Sequence, residues 1–250
     1  MRTRPLLAAA LTVATLVLAP APAQASTTCT AFGTITLGKY YINNNLWGQS
    51  SGSGSQCISD TRTGTTIGWN TTWNWSGQTN QVKSYDSSVL GWHWGWKTSG
   101  TELPVRLNAG RDIFTDLRYR VSGTSTMNVA YDLWLHNIPN PDWPDNPTDE
   151  VMIWTFRAGG AGPLGTPQGT VTIAGTSWDL YRGNIGWNVF SFVRRSNTTA
   201  ATLHLQDFLG NLIGRGWLAN TKYLSSIEQG SEVFVGNGRL DVDSYTADIR

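Results

Sequence analysis

Glu150 and Glu232 are two of the four glutamates in the chain, and each falls in a short aromatic segment. In Glu150-Val151-Met152-Ile153-Trp154-Thr155-Phe156 a two-residue period places Glu150, Met152, Trp154 and Phe156 on one face and Val151 and Ile153 on the other. In Gly230-Ser231-Glu232-Val233-Phe234-Val235-Gly236, Glu232 shares a face with Phe234, and two valines fill the opposite one. Carboxylates that project beside large rings, with a β-branched core behind them, describe the wall of a cleft. Two such groups flanking one bond can donate a proton, take one back and attack carbon, the combination that breaks glycosidic bonds.

A third acid belongs with them. Along Met127 to His136, one face is Met127, Val129, Tyr131, Leu133 and Leu135, and the other is Asn128, Ala130, Asp132, Trp134 and His136. With the apolar face on the core, Asp132 and Trp134 project on the side taken by Glu150 and Trp154. Two neighbouring carboxyls cannot both ionise freely, so Asp132 beside Glu150 is expected to share a proton with it and hold it by a hydrogen bond. His93, His136 and His204 lack ligand spacing, and no metal or other cofactor is expected.

The elements that must position these groups read as nearly all β. Alternation is clear at Ile67 to Trp75, Leu90 to Trp96, Met127 to His136, Glu150 to Phe156, Asn188 to Val193 and Val233 to Val235, each bounded by turn-forming residues. That spacing predicts a sandwich or jelly roll. Only Leu205, Phe208, Leu209, Leu212 and Ile213 follow a helical period, predicting one helix that closes near Gly214 and Gly216. No internal repeat or linker interrupts the chain, so residues 26–250 are expected to form one domain.

Charged residues make up 14% of the chain and the net charge is +1, which gives no basic footprint for nucleic acid. A surface of Thr, Ser, Asn and Gly with 13 tryptophans suits an uncharged, hydroxyl-rich partner. At the N-terminus, Arg2 and Arg4 precede an apolar run from Leu6 to Ala19, and Ala23-Gln24-Ala25 supplies a small-x-small cleavage pattern. Residues 1–25 therefore read as an export signal, the run being too short for a membrane span, and the mature protein is expected outside the cell without a membrane partner. Cys29 and Cys57 are the only cysteines, favouring a single disulfide in that oxidising compartment. Closing that loop is worth roughly 3 to 4 kcal/mol on a chain-entropy account.

Asn44-Asn45-Leu46-Trp47-Gly48, Tyr131-Asp132-Leu133-Trp134, Glu150-Val151-Met152-Ile153-Trp154, the helix around Asp207-Phe208, Tyr223-Leu224-Ser225-Ser226-Ile227 and Gly230-Ser231-Glu232-Val233-Phe234 together resemble glycoside hydrolase family 12, the secreted β-1,4-endoglucanases. The resemblance covers the whole mature chain in the same order and includes the early cysteine pair. It implies a jelly roll of two curved antiparallel sheets with an open cleft, a β-glucan substrate and retaining hydrolysis. Position by position it implies Glu150 as nucleophile, Glu232 as general acid/base and Asp132 as the nucleophile's hydrogen-bonding partner. It matches Asn45 and Trp47 to a glucose subsite, Met152 and Trp154 to the cleft floor, and Gly162-Pro163-Leu164-Gly165 to a loop bordering the cleft. Trp94, Trp134 and Phe234 complete the expected substrate contacts, and the chain is expected to act as a monomer. The acid/base strand reads Glu-Val-Phe where many bacterial relatives read Glu-Pro-Trp.

Blander readings compete for several residues. Trp92, Trp94 and Trp96 divide between cleft and core, whereas Trp69, Trp73, Trp75, Trp178, Trp187 and Trp217 are expected to pack inside. A lectin-like sandwich would share the fold without needing the acids, an expansin-like wall protein would act without hydrolysis, and a retaining xylanase of similar fold would also use two glutamates.

Overall fold

A computed structural model describes residues 25–250, so the expected export signal lies, apart from Ala25, outside the described residues. The chain runs β1 (Thr27–Thr28), β2 (Thr34–Leu37), β3 (Tyr40–Asn43), β4 (Gly52–Arg62), β5 (Ile67–Gly77), β6 (Ser84–His93), β7 (Trp96–Lys97), β8 (Val105–Arg106) and β9 (Ile113–His136). It continues through β10 (Asp149–Ala158), β11 (Thr166–Ile173), β12 (Thr176–Asn184), β13 (Asn188–Arg194), β14 (Ala200–His204), the helix α1 (Leu205–Gly214) and β15 (Tyr223–Ile249). Two short 3-10 turns complete the elements among the described residues.

Two strands do most of the architectural work. The second half of β9 and the first half of β15 pair with each other inside one sheet, ordered β2-β3-β6-β15-β9-β10-β13-β12-β11. Their other halves pair again in a second sheet, with β5, β4 and β1 on one side and β14 on the other. Pairing continues through the bend at Gly123 and Gly236, both at positive φ, where an added Cβ would meet backbone oxygen at 2.4 and 2.2 Å. The result is the expected jelly roll: two layers tied by two shared strands, with neighbours antiparallel except for β10 and β13.

Between the layers lies the main core, including Trp69, Trp73, Trp75, Tyr131, Val151, Ile153, Trp178 and Phe208. The helix buries Leu205, Phe208, Leu209 and Leu212 against it, as its 3.6-residue period requires. A smaller apolar cluster sits on the other face of the first sheet: Ala130, Met152, Trp154, Ala161, Val189, Val193 and Phe234. The face assignments for Met127 to His136 and for Glu232 to Phe234 follow the expected alternation. Phe156 does not. A bulge between Trp154 and Phe156 slips the phase of β10 by one residue, and Phe156 packs on the main core.

Leu90 to Trp96 is likewise shorter as a strand than its sequence suggests. β6 ends at His93, Trp94 and Gly95 form a tight turn, and Trp96 starts the return strand. Trp94 takes φ 43°, a conformation that costs a tryptophan about 1 kcal/mol or more. Cys29 and Cys57 form the expected disulfide, with Cα atoms 4.0 Å apart.

Candidate active site

The site is built on three adjacent strands, β15, β9 and β10. Register sets Glu150 opposite Trp134, Met152 opposite Asp132, and Asp132 opposite Glu228. Because side chains on directly paired residues project to the same face, these groups share one surface with Glu232, which stands four residues beyond Glu228. Gly230 lies between those two glutamates. A Cβ at Gly230 would sit 1.8 Å from the carbonyl oxygen of Asp86, so only glycine lets β6 and β15 approach here.

Glu150 and Glu232 have separate holders. Glu150 is 7% exposed, and the indole Nε1 of Trp187 donates to its Oε2 at 2.8 Å. The strand carrying it is pinned one residue earlier, where Lys222 and Asn188 bind the buried Asp149. Asn128 brackets Glu232: its Nδ2 donates to Oε2 at 2.5 Å, and its Oδ1 accepts the Glu232 backbone N–H at 3.0 Å. Asp132 is 3% exposed and its Oδ1 has no hydrogen-bond partner in the folded chain. The expected hydrogen bond from Asp132 to Glu150 is not among those formed; it requires a proton on one of the two.

Electrostatics set these groups apart from ordinary surface acids. Burial pushes Glu150 up to about 8, helped by the charges of Glu232 and Glu228 and opposed by the Trp187 N–H. Burial pushes Glu232 up to about 7, opposed by Asn128, without the neighbouring charges that add to the rise of Glu150. Asp132 is pushed well above the usual carboxylate range, first by burial and then by the charges of Glu150, Glu232 and Glu228. Among the described residues no lysine or arginine forms an ion pair with any of the four.

The remaining expected contacts divide by depth. Trp47 stands 58% exposed, and Asn45, nearly buried, offers its backbone oxygen to the Tyr85 N–H. Met152, Trp154 and Phe234 are buried together beneath the floor, and Pro163 is half-buried in the turn after Ala161, which joins their cluster. Trp134 and Trp94 meet edge to face at 5.2 Å, and Trp134 meets Trp187 at 5.8 Å. Of the three uncertain tryptophans, Trp92 is buried, Trp94 half-buried and Trp96 57% exposed.

Three residues of the site were not assigned to it from sequence. Trp187 was expected to pack inside, yet it donates to Glu150; nothing in Ile185-Gly186-Trp187 signals that. Asn128 was placed on the correct face without a role. Glu228 is fully buried and accepts hydrogen bonds from Trp134, Ser87 and His93; its two-residue spacing from Gly230 and Glu232 would have put it on their face. Trp69, Trp73, Trp75 and Trp178 lie in the core as expected, with Trp217 packed against it. No group of three His, Cys, Asp or Glu side chains among the described residues has the arrangement of a metal site.

A profile of glycosyl hydrolase family 12 matches residues 38–250. Endoglucanase S of Pectobacterium parmentieri is 38% identical over 220 residues, which cover 85% of this chain and 82% of that protein. The xyloglucan-specific endo-beta-1,4-glucanase A of Aspergillus aculeatus is 36% identical across 96% of this chain and 98% of its own. Among solved structures, the native family 12 xyloglucanase from Bacillus licheniformis superposes with a TM-score of 0.84 at 39% identity, covering 90% of this chain and 100% of that one. Trichoderma harzianum endoglucanase 3 gives 0.82 at 35% identity, with coverages of 92% and 100%.

Proposed function

The chain belongs to glycosyl hydrolase family 12 and is an endo-β-1,4-glucanase, and we propose that it works with retention, Glu150 being its nucleophile, Glu232 its general acid/base and Asp132 the acid that shares a proton with Glu150. The observation that carries these roles is the gathering of Glu150, Asp132, Glu228 and Glu232 on one face of the sheet, the first three buried, with no lysine or arginine among the described residues paired to any of them. In that setting protons are redistributed rather than lost. Asp132, raised by burial and then by its neighbours' charges, takes a proton and donates it in a hydrogen bond, leaving Glu150 ionised for attack. Glu232, raised into the neutral range, holds the proton that the leaving oxygen needs.

Attack by Glu150 on the anomeric carbon breaks the glycosidic bond as Glu232 protonates the departing sugar. Esterification removes the charge on Glu150, so Glu232, now the anion, takes a proton from water as that water displaces the ester. Two inversions give net retention. Trp187 and Asn128 hold the two carboxylates in place, and the exposed ring of Trp47 offers an apolar face for a pyranose.

The same reading takes residues 1–25 as a removed export signal and residues 26–250 as one catalytic domain working as a monomer outside the cell. The Cys29–Cys57 disulfide supports an oxidising destination, and no described helix is long and apolar enough to cross a membrane. A preference for xyloglucan is the second reading, favoured by the xyloglucan-cleaving relatives. Initial rates of reducing-end release from cellulose, mixed-linkage β-glucan and xyloglucan test both. Release from any of them supports the endoglucanase and their order sets the preference. Absence of release from all three contradicts it.

A further inference from the structure

Glu228 is the one member of the acidic cluster to which the mechanism gives no task. It is fully buried on the cleft face of β15, directly opposite Asp132 of β9, one register step from the Trp134–Glu150 pair. Its Oε1 accepts from Trp134 Nε1 at 2.8 Å and from His93 Nδ1 at 2.7 Å, and its Oε2 accepts from Ser87 Oγ at 2.8 Å. Three donors converge on this buried carboxylate, so both its oxygens accept and its orientation is fixed.

Those donors come from elements that must be brought together. Ser87 and His93 lie on β6, and Trp134 lies on β9. The Trp134 ring, anchored by its N–H, packs edge to face on Trp187, whose own N–H holds Glu150. The turn after His93 throws Trp94 against both rings, at 5.2 Å from Trp134 and 6.3 Å from Trp187. Glu228 therefore reaches the nucleophile in two ways, through a packed chain of indoles and through its charge. The titratable groups that feel or face it are Asp132 on β9, Glu150 on β10, Glu232 and Tyr245 on its own strand, His93 and Tyr85 on β6 and Tyr41 on β3. Among the described residues, His93 is the only basic side chain paired with any of the cleft carboxylates.

We propose that Glu228 is a positioning residue for hydrolysis: it fixes Trp134, and through it Trp187, beside Glu150, and keeps a negative charge next to the Asp132–Glu150 pair. That charge favours one shared proton between Asp132 and Glu150, which restrains the nucleophile until the sugar arrives. It also sets where on the pH scale the nucleophile becomes free. Removing the charge eases ionisation of Glu150, so the acid limb moves to lower pH.

The proposal rests on Glu150 being the nucleophile, and one experiment separates the two claims. An activated 2-deoxy-2-fluoro-β-cellobioside traps the glycosyl-enzyme; mass spectrometry of the labelled peptide identifies the nucleophile, and the pH dependence of trapping reports its ionisation alone. In Glu228→Gln, an isostere without the charge, label on Glu150 with the acid limb lowered by about half a pH unit or more is the expected result. Glu228→Ala should trap about ten- to a hundredfold more slowly, and Trp134→Phe, which keeps a ring but loses the N–H, should reproduce part of that loss. The double variant should lose less than the product of the two, because both act through one contact. Label on Glu150 with a Glu228→Gln profile superimposed on the parent's would overturn the role of Glu228. So would independent, multiplying losses in the double variant. Label on a residue other than Glu150 would instead overturn the assignment on which the proposal stands.

Discussion

The two halves of β15 carry acids in opposite circumstances. From Tyr223 to Val235 the strand presents Glu228 and Glu232 to the cleft, beside Asp132, with His93 as the one basic partner. From Gly236 to Ile249 the same strand presents Asp241, Asp243 and Asp248 to the outside of the second sheet, where Arg239, Arg120, Lys39 and Arg250 pair with them. The inward face carries core residues in both halves, Ile227 and Val233 in one, with buried Gln229 and Ser231 between them, and Leu240, Val242 and Tyr245 in the other. One strand thus solves the same packing problem twice while treating charge in contrary ways. Arg120 holds Asp243 below the ordinary carboxylate range through its hydrogen bond and charge, while Glu232 and Asp132 are raised by burial. Charges left buried without lysine or arginine destabilise a fold, so their retention on one face marks where chemistry is done.

Replacing acids in each half should therefore give contrary results. On soluble β-glucan, Glu150→Ala and Glu232→Ala should each lower kcat by about a thousandfold or more. Asp243→Ala should stay within about twofold of the parent, because an exposed pair contributes little. Asp132→Asn keeps the shape but removes the proton-sharing acid; kcat should fall by about a hundredfold with KM little changed, as steady-state rates would show.

Stability should move the other way. The carboxyl of Glu150 is raised from 4.5 to about 8 in the folded state. Unfolded chains ionise both Glu150 and Asp132 near their ordinary values, while the folded pair keeps one proton between them, so the fold loses stability as pH rises from 4.5 towards about 8. Glu150→Gln should accordingly melt higher than the parent at pH 8, with the gap closing towards pH 4; an equal Tm at both pH values would show that the buried charge carries no such cost. Asp243 has the opposite sign. Its lowered range means that the Arg120 pair adds stability at neutral pH and loses it as pH falls, an effect under ~1 kcal/mol after screening, readable as a small Tm loss in Asp243→Asn near pH 7.

Strong alternation made the cleft-forming half of β9 and the amphipathic α1 legible from sequence alone. The other half of β9 was legible only in part: Leu117, Tyr119 and Val121 alternate with Asp116, Arg118 and Arg120, whereas Ser122-Gly123-Thr124-Ser125-Thr126 has no such pattern and belongs to the strand only because β15 pairs with it. The bulge after Trp154 could not be read either, since no residue type there demands one, and it turned Phe156 from cleft to core. Trp187 was hidden for a different reason. A tryptophan between Gly186 and Asn188 reads as packing until the parallel pairing of β10 and β13 brings it beside Glu150. Glu228 had the right spacing but no aromatic neighbour in its own segment to set it apart.

The central claim is that Glu150 attacks and Glu232 moves protons, and azide rescue with an activated aryl β-cellobioside tests it most directly. In Glu150→Ala, azide entering the vacated side of the sugar should restore turnover and yield the α-glycosyl azide. In Glu232→Ala the covalent intermediate still forms, and azide should release it as the β-glycosyl azide after a second inversion. Opposite anomers from the two variants would exchange the roles, and substantial polymer activity in both without azide would place the catalytic pair elsewhere.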